Sequence, residues 1–169
     1  MKAKNVKYLI LSMIVIVGGS LFAKQSMAEG GYGSISMDYI DTDVVNFWGS
    51  TAAIGYEFND FAAVQGECLI HSSEEAKDGV KLTLEKLCGV YAIGTVPVTD
   101  SWSVFIRYGH SWIEAEASYN GYSDTADESD TSLGFGIRYE MSENWRATFQ
   151  RTEVVDGVDV TSAALTFVF

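Results

Sequence analysis

Three arginines, Arg107, Arg138 and Arg146, and four glutamates, Glu57, Glu67, Glu85 and Glu140, fall on one parity of segments whose other parity is apolar. Gathered in a narrow enclosed space, they could line a selective ion path or pair off as a salt-bridged plug; the plug is the expectation where the space is only wide enough for side chains. A second set could do nucleophilic chemistry. His71 and Ser73 form a His-x-Ser pair, and a base that reaches a hydroxyl while a carboxylate such as Glu85 orients it would make a nucleophile. The same parity turns His71 inward with the glutamates. His110 and Ser111 are adjacent, so along a strand they point apart.

Cys68 and Cys88 are candidates for a disulfide. If the intervening turn centres on Lys77-Asp78-Gly79, the two cysteines face each other across neighbouring strands, and a secreted compartment permits the bond. The alternative is two small thiols on an outer wall. Acidic residues collect at one end of the segments: Asp38, Asp41 and Asp43; Glu74, Glu75 and Asp78; Asp124, Asp127, Glu128 and Asp130; Asp156 and Asp159. Hard oxygen donors in such density could hold Ca²⁺ or Mg²⁺, yet the spacing matches no twelve-residue calcium loop. A solvated acidic rim is the simpler expectation. Neither a catalytic set nor a cofactor or metal motif emerges.

The segments that position these residues number eight, at Gly31 to Ile40, Phe47 to Phe58, Phe61 to Ser72, Val80 to Thr95, Trp102 to Glu116, Thr131 to Met141, Trp145 to Val154 and Val158 to Phe169. Ile35, Met37, Ala52, Ile54, Leu82, Leu84, Val104, Ile106, Phe135, Ile137 and Phe149 take the outward parity, and Ser36, Asp38, Thr51, Gln65, Arg107, Thr148 and Gln150 the inward one. Leu87, Tyr91 and Phe105 also point inward and would narrow the lumen, whereas Lys86 points out. Apolar outside and charged inside is the inverse of a soluble barrel and is the pattern of a barrel in lipid. Water around Phe58, Tyr108, Phe135, Phe149 and Phe167 would favour aggregation. Trp102, Trp145, Tyr56, Phe58, Tyr139 and Phe169 cluster near three short connections, where an interfacial aromatic girdle belongs. The longest connection, Ala117 to Asp130, falls at the opposite, extracellular end.

Both ends of the chain agree with export. Met1 to Lys7 carries three lysines, Tyr8 to Ala23 is apolar but short of a membrane span, and Ser26-Met27-Ala28 offers small residues for a signal peptidase. The expected domains are a signal peptide at 1–28 and a barrel at 29–169. No cysteine follows the cut, so a lipid anchor is not expected. Seven Lys and Arg then face 23 Asp and Glu, a mature charge near −16 that would repel nucleic acid and anionic surfaces. The last strand places Ala163, Leu165, Phe167 and Phe169 on one face and stops on an aromatic residue.

Two blocks carry a family likeness. Val96-Pro-Val-Thr-Asp-Ser-Trp-Ser-Val-Phe-Ile-Arg-Tyr-Gly109 resembles the turn between strands four and five in the transmembrane domain of outer membrane protein A, and Gly136 to Gln150 is similar to that family's strands six and seven. The wider group includes the outer membrane protein X and Ail type of small barrel. The resemblance implies an all-β, eight-stranded antiparallel transmembrane β-barrel in the bacterial outer membrane, in contact with lipid and lipopolysaccharide. Insertion would be by the barrel assembly machinery, which reads the C-terminal Leu165, Phe167 and Phe169. The family's interior ion-pair gate is not carried over, because Arg138 stands at its strand-six acid, Thr148 at its strand-seven arginine and Ile93 at its strand-four lysine. The peptidoglycan-binding domain that follows the barrel in outer membrane protein A is not expected after Phe169. His71 and Ser73 have a spacing reminiscent of lipid A deacylases. The resulting expectation is a monomeric barrel with a structural or surface-recognition role and no catalysis; a narrow porin-like channel is the alternative and a lipid A modifying enzyme the third.

Overall fold

The computed structural model describes residues 30–42, 45–77, 80–119 and 122–169. The expected signal peptide, Asp43, Asp78 and the side chain of Glu75 lie outside the described residues. Alternating residues with aromatic and β-branched side chains favour strands, and nine are formed: β1 (Gly30–Thr42), β2 (Asn46–Asn59), β3 (Ala62–Ser72), β4 (Glu74–Lys77), β5 (Val80–Pro97), β6 (Trp102–Tyr119), β7 (Tyr122–Glu140), β8 (Trp145–Val155) and β9 (Val158–Val168). All pairings are antiparallel and join sequence neighbours except at β3 and β4, which do not pair with each other; β3 pairs directly with β5, as β4 does, and β1 closes on β9. β3 and β4 are two parts of one staggered wall strand interrupted at Ser73, so the closed barrel has eight strands. Closure removes the unpaired sheet edge that lipid could not satisfy.

The wall sorts side chains as the alternation predicts. Ile35, Ile54, Phe135, Phe149 and Leu165 are exposed on the outside, and Tyr32, Glu57, Tyr91, Arg107 and Thr166 are buried inside. Aromatic residues ring the end that holds Phe169: Trp102 lies 4.7 Å from Tyr139, and Trp145 lies 5.0 Å from Phe167, centroid to centroid. A second pair, Tyr39 and Trp48 at 5.2 Å, marks the opposite rim. These are the two interfacial belts of a membrane wall. Short turns at the Phe169 end are pinned by side chains: Asn59 Oδ1 accepts from the Phe61 amide at 2.8 Å and Thr99 Oγ1 from the Trp102 amide at 3.0 Å. Short turns mark the periplasmic side of such barrels.

Two β-bulges change the expected facing. In β3, Ser50 pairs with His71 but Thr51 with Leu69, and in β5, Ala115 pairs with Leu84 but Glu114 with Lys86. Each extra residue reverses the face of everything beyond it. Glu85 is therefore exposed rather than inward, and Leu84, expected outside, is buried with Leu82 packed alongside. His71 is likewise exposed, not inward. Lys86 is exposed as expected.

The segment 117–130, expected as a loop, is mostly strand. β6 continues to Tyr119 and β7 begins at Tyr122, with Ser118 paired to Ser123 and Glu114 to Asp127. The ribbon outruns its other neighbour: β8 pairs with β7 only from Leu133 onward.

Candidate functional site

The lumen is the first candidate, and it divides into layers. At the periplasmic end Glu57 is buried between two guanidiniums, with Arg138 Nη1 at 3.0 Å and Arg146 Nη1 at 2.6 Å from the same Oε1. Arg146 Nε also reaches Glu140 Oε2 at 2.7 Å. Two cations and two anions thus cancel in this layer. Phe105 and Ile93 fill the space above, together with Tyr32, whose hydroxyl donates to Gln65 at 2.9 Å.

The middle layer centres on Arg107, whose side chain is 0% exposed. Its Nη2 lies 2.7 Å from Glu67 Oε1, an ion pair rather than an aligned hydrogen bond, and its guanidinium carbon stacks 3.4 Å from the centroid of the Tyr91 ring. Stacking suits the weakly hydrated planar cation. The Tyr91 hydroxyl meets Ser111 Oγ at 2.7 Å, Ser111 Oγ meets Ser132 Oγ at 2.6 Å, and Ser132 donates to the Val154 carbonyl at 2.8 Å. Glycine makes the room: a Cβ at Gly134 would lie 2.9 Å from Arg107 Cγ.

Above this layer the lumen turns apolar. Ile40, Phe47, Leu84, Leu87, Val154 and Val160 form a buried cluster, with Val45, Leu69, Leu82 and Ile113 packed against it. The sequence reading placed only Leu87 of this set in the lumen. Its signal is the bulge pair, which no alternation count detects, and inward Ile40, Phe47 and Val160, which continue the polar parity of their strands. Small cavities of about 20 and 30 Å³ separate the layers.

Seven residues were expected to share one interior network. Six of them divide into two separate ion-pair groups, Glu57 with Arg138, Arg146 and Glu140, and Glu67 with Arg107; the seventh, Glu85, is outside. Thr148 lines a cavity and Ile93 is buried in the lower apolar group. Cys68 and Cys88 are directly paired and disulfide-bonded, with Cα atoms 4.1 Å apart. Leu165, Phe167 and Phe169 face outward, and the Phe169 amide bonds to the Gly31 carbonyl at 3.0 Å, tying the chain end to β1.

Outside the lumen, the bulge that exposes His71 gives it the orientation toward lipid that acyl chemistry would need. Among the described residues, however, no hydrogen bond joins it to Ser73, whose hydroxyl accepts from the Trp48 amide at 3.0 Å. The acidic end is the other candidate. Residues 122–131 of β7 are exposed throughout, carry Asp124, Asp127, Glu128 and Asp130, and face Glu114 and Glu116 of β6. No Lys or Arg occurs between Arg107 and Arg138. Elsewhere on the rim Arg151 pairs with Asp159 at 2.9 Å. Among the described residues no three His, Cys, Asp or Glu converge as a metal site.

A profile describing the outer membrane protein beta-barrel domain matches residues 11–168. No curated protein matches the sequence. Among solved structures, the chain is similar to Ail, the attachment invasion locus protein of Yersinia pestis, in complex with the heparin analogue sucrose octasulfate, at 20% identity and a TM-score of 0.59 over 84% of this chain and 99% of that one. It is similar to the N-terminal β-barrel domain of Pseudomonas aeruginosa OprF at 14% identity and a TM-score of 0.59, covering 83% and 99%. Neisserial surface protein A follows at 16% identity and 0.56, covering 86% and 100%. Likenesses at these identities speak to the fold, and the profile to the family. The chain belongs to the outer membrane protein beta-barrel domain family and is an outer-membrane protein built as a closed eight-stranded barrel.

Proposed function

We propose that this barrel is a non-conducting scaffold that displays an acidic β-ribbon at the cell surface for recognition of a cationic ligand, with no catalysis of its own. The observation that carries it is the β6–β7 ribbon. Its outer part is exposed on β7, has no β8 neighbour before Leu133, and concentrates six carboxylates without a basic residue. Glu114 and Asp127 stand directly opposite each other, and like charges across a strand pair repel. A cationic partner relieves that repulsion and gains the steering of a strongly negative surface.

The filled lumen supports the non-conducting half. An ion entering from outside meets the Ile40, Phe47, Leu87 and Val154 cluster, where it would lose hydration with nothing to replace it. Sulfated polyanions of the kind bound to Ail would be repelled by the ribbon, so that ligand class is not expected here.

The test is binding of a polycation, fluorescent polylysine, to the protein refolded in uncharged phosphatidylcholine vesicles. The quadruple variant Asp124→Asn, Asp127→Asn, Glu128→Gln, Asp130→Asn should bind at least tenfold more weakly, and wild-type binding should fall steeply with salt. Equal binding by the two proteins would overturn the recognition reading.

A further inference from the structure

Asp38 is a carboxylate without an evident counter-charge. Its side chain points into the lumen from β1, the residue is 1% exposed, and Oδ1 accepts from Ser36 Oγ at 2.7 Å while Oδ2 is buried with no partner. Thr152 of β8, 2% exposed, likewise has a buried hydroxyl oxygen with no partner. Both line the same cavity of about 20 Å³, together with Glu67, Ser36, Thr51, Gln150 and Ser162. The strands bring them there by register: Asp38 is paired with Ser162, and Ser162 with Gln150.

The charge around this cavity does not close. Arg107 is held by Glu67, and the two guanidiniums of the periplasmic layer are held by Glu57 and Glu140. Among the described residues no Lys or Arg pairs with Asp38. Leu87, Val154 and Val160 of the apolar cluster form part of the cavity wall. A carboxylate oxygen and a hydroxyl buried there without partners are costly unless a polar or ionic species fills the cavity.

We infer that this cavity is a binding site for one dehydrated Na⁺, held by Asp38 Oδ2 and the hydroxyl of Thr152 with neighbouring oxygens of the same wall. Its volume suits one water-sized species, since a water needs at least about 10–15 Å³ of such space. The donors offered are oxygens, which selects a hard cation. Glu67 on the same cavity is already offset by Arg107, so the one uncompensated carboxylate, Asp38, balances a single positive charge. A divalent ion would leave a net charge in the apolar layer, and Mg²⁺ retains waters for which there is no room. Neither the acidic ribbon nor surface recognition enters this inference.

The test compares unfolding of the refolded protein in a neutral maltoside micelle with NaCl, KCl or N-methylglucamine chloride at one ionic strength. A ligand that binds only the folded state raises the folded-to-unfolded ratio by the factor one plus its concentration over its Kd, so Na⁺ at about ten times Kd gives roughly tenfold. Na⁺ should raise the urea midpoint saturably, K⁺ should do less, and N-methylglucamine nothing. Asp38→Asn should abolish the difference between Na⁺ and N-methylglucamine, and Thr152→Val should shrink it even if the first variant fails to refold. Equal midpoints in Na⁺ and N-methylglucamine, an equal response to K⁺, or a sodium effect that survives in both variants would overturn the inference; survival would move the effect to the acidic ribbon.

Discussion

The two halves of the lumen solve the same filling problem with opposite chemistry. At the periplasmic end Arg138, Arg146, Glu57 and Glu140 cancel in a compact ion-pair group; at the extracellular end Ile40, Phe47, Leu84, Leu87, Val154 and Val160 pack as a small hydrophobic core. The charged half depends on complete pairing, since one lost partner strands a buried charge. The apolar half depends on volume, since its groups need no partner but tolerate no void. The lumen is thus filled by apolar packing on the side that faces the environment and by ion pairs on the side that faces the periplasm.

The sharpest way to break the charged half is Glu57→Gln, which leaves Arg138 without its partner and Arg146 with Glu140 alone. It should cost about 3–5 kcal/mol of unfolding free energy in vesicles, as losing one side of a buried ion pair does. A cost below 1 kcal/mol would mean the arginines are solvated. Leu87→Ala should cost about 2–4 kcal/mol through the cavity it leaves. The same variant should be the first to leak ions, because it opens the apolar seal and leaves every ion pair intact. In the middle layer Gly134→Ala should cost about 1–3 kcal/mol, because the new methyl meets the Thr152 hydroxyl, Arg107 Cγ and the Arg151 backbone carbonyl at close range. Retention of the wild-type midpoint would show that these neighbours can move aside. The smallest effect is expected at the rim: Arg151→Ala removes a pair whose side chains are 50% and 38% exposed, and should change stability by less than about 1 kcal/mol.

Much of the barrel is legible in the sequence, because period-two alternation writes the outward face of Ile35, Ile54, Phe135 and Phe149 directly. The periplasmic group is legible for the same reason, since Arg138, Glu140 and Arg146 lie in regular register and the shift in β2 comes only after Glu57. Two features are not. Bulges beside Ile70 and Glu85 each add one residue without altering composition, so Glu85 and His71 turn outward and Leu84 turns inward. The acidic stretch 117–130 reads as a loop because Asp and Asn disfavour strands, yet pairing of Tyr122 to Asp130 with β6 holds that part extended. That pairing is a tertiary fact with no local mark. The apolar cluster was hidden because Leu84 lies beyond a bulge while Ile40, Phe47, Val154 and Val160 are inward residues of otherwise polar strands.

Single-channel recording of the refolded barrel in a planar bilayer tests the account most directly, once a mobility shift on heating has shown that it is folded. The wild-type protein should be silent, and Leu87→Ala should show brief openings of low conductance. Discrete, reproducible openings of the wild-type protein would contradict the sealed lumen and return the ion-path reading of Arg107, Arg138 and Arg146.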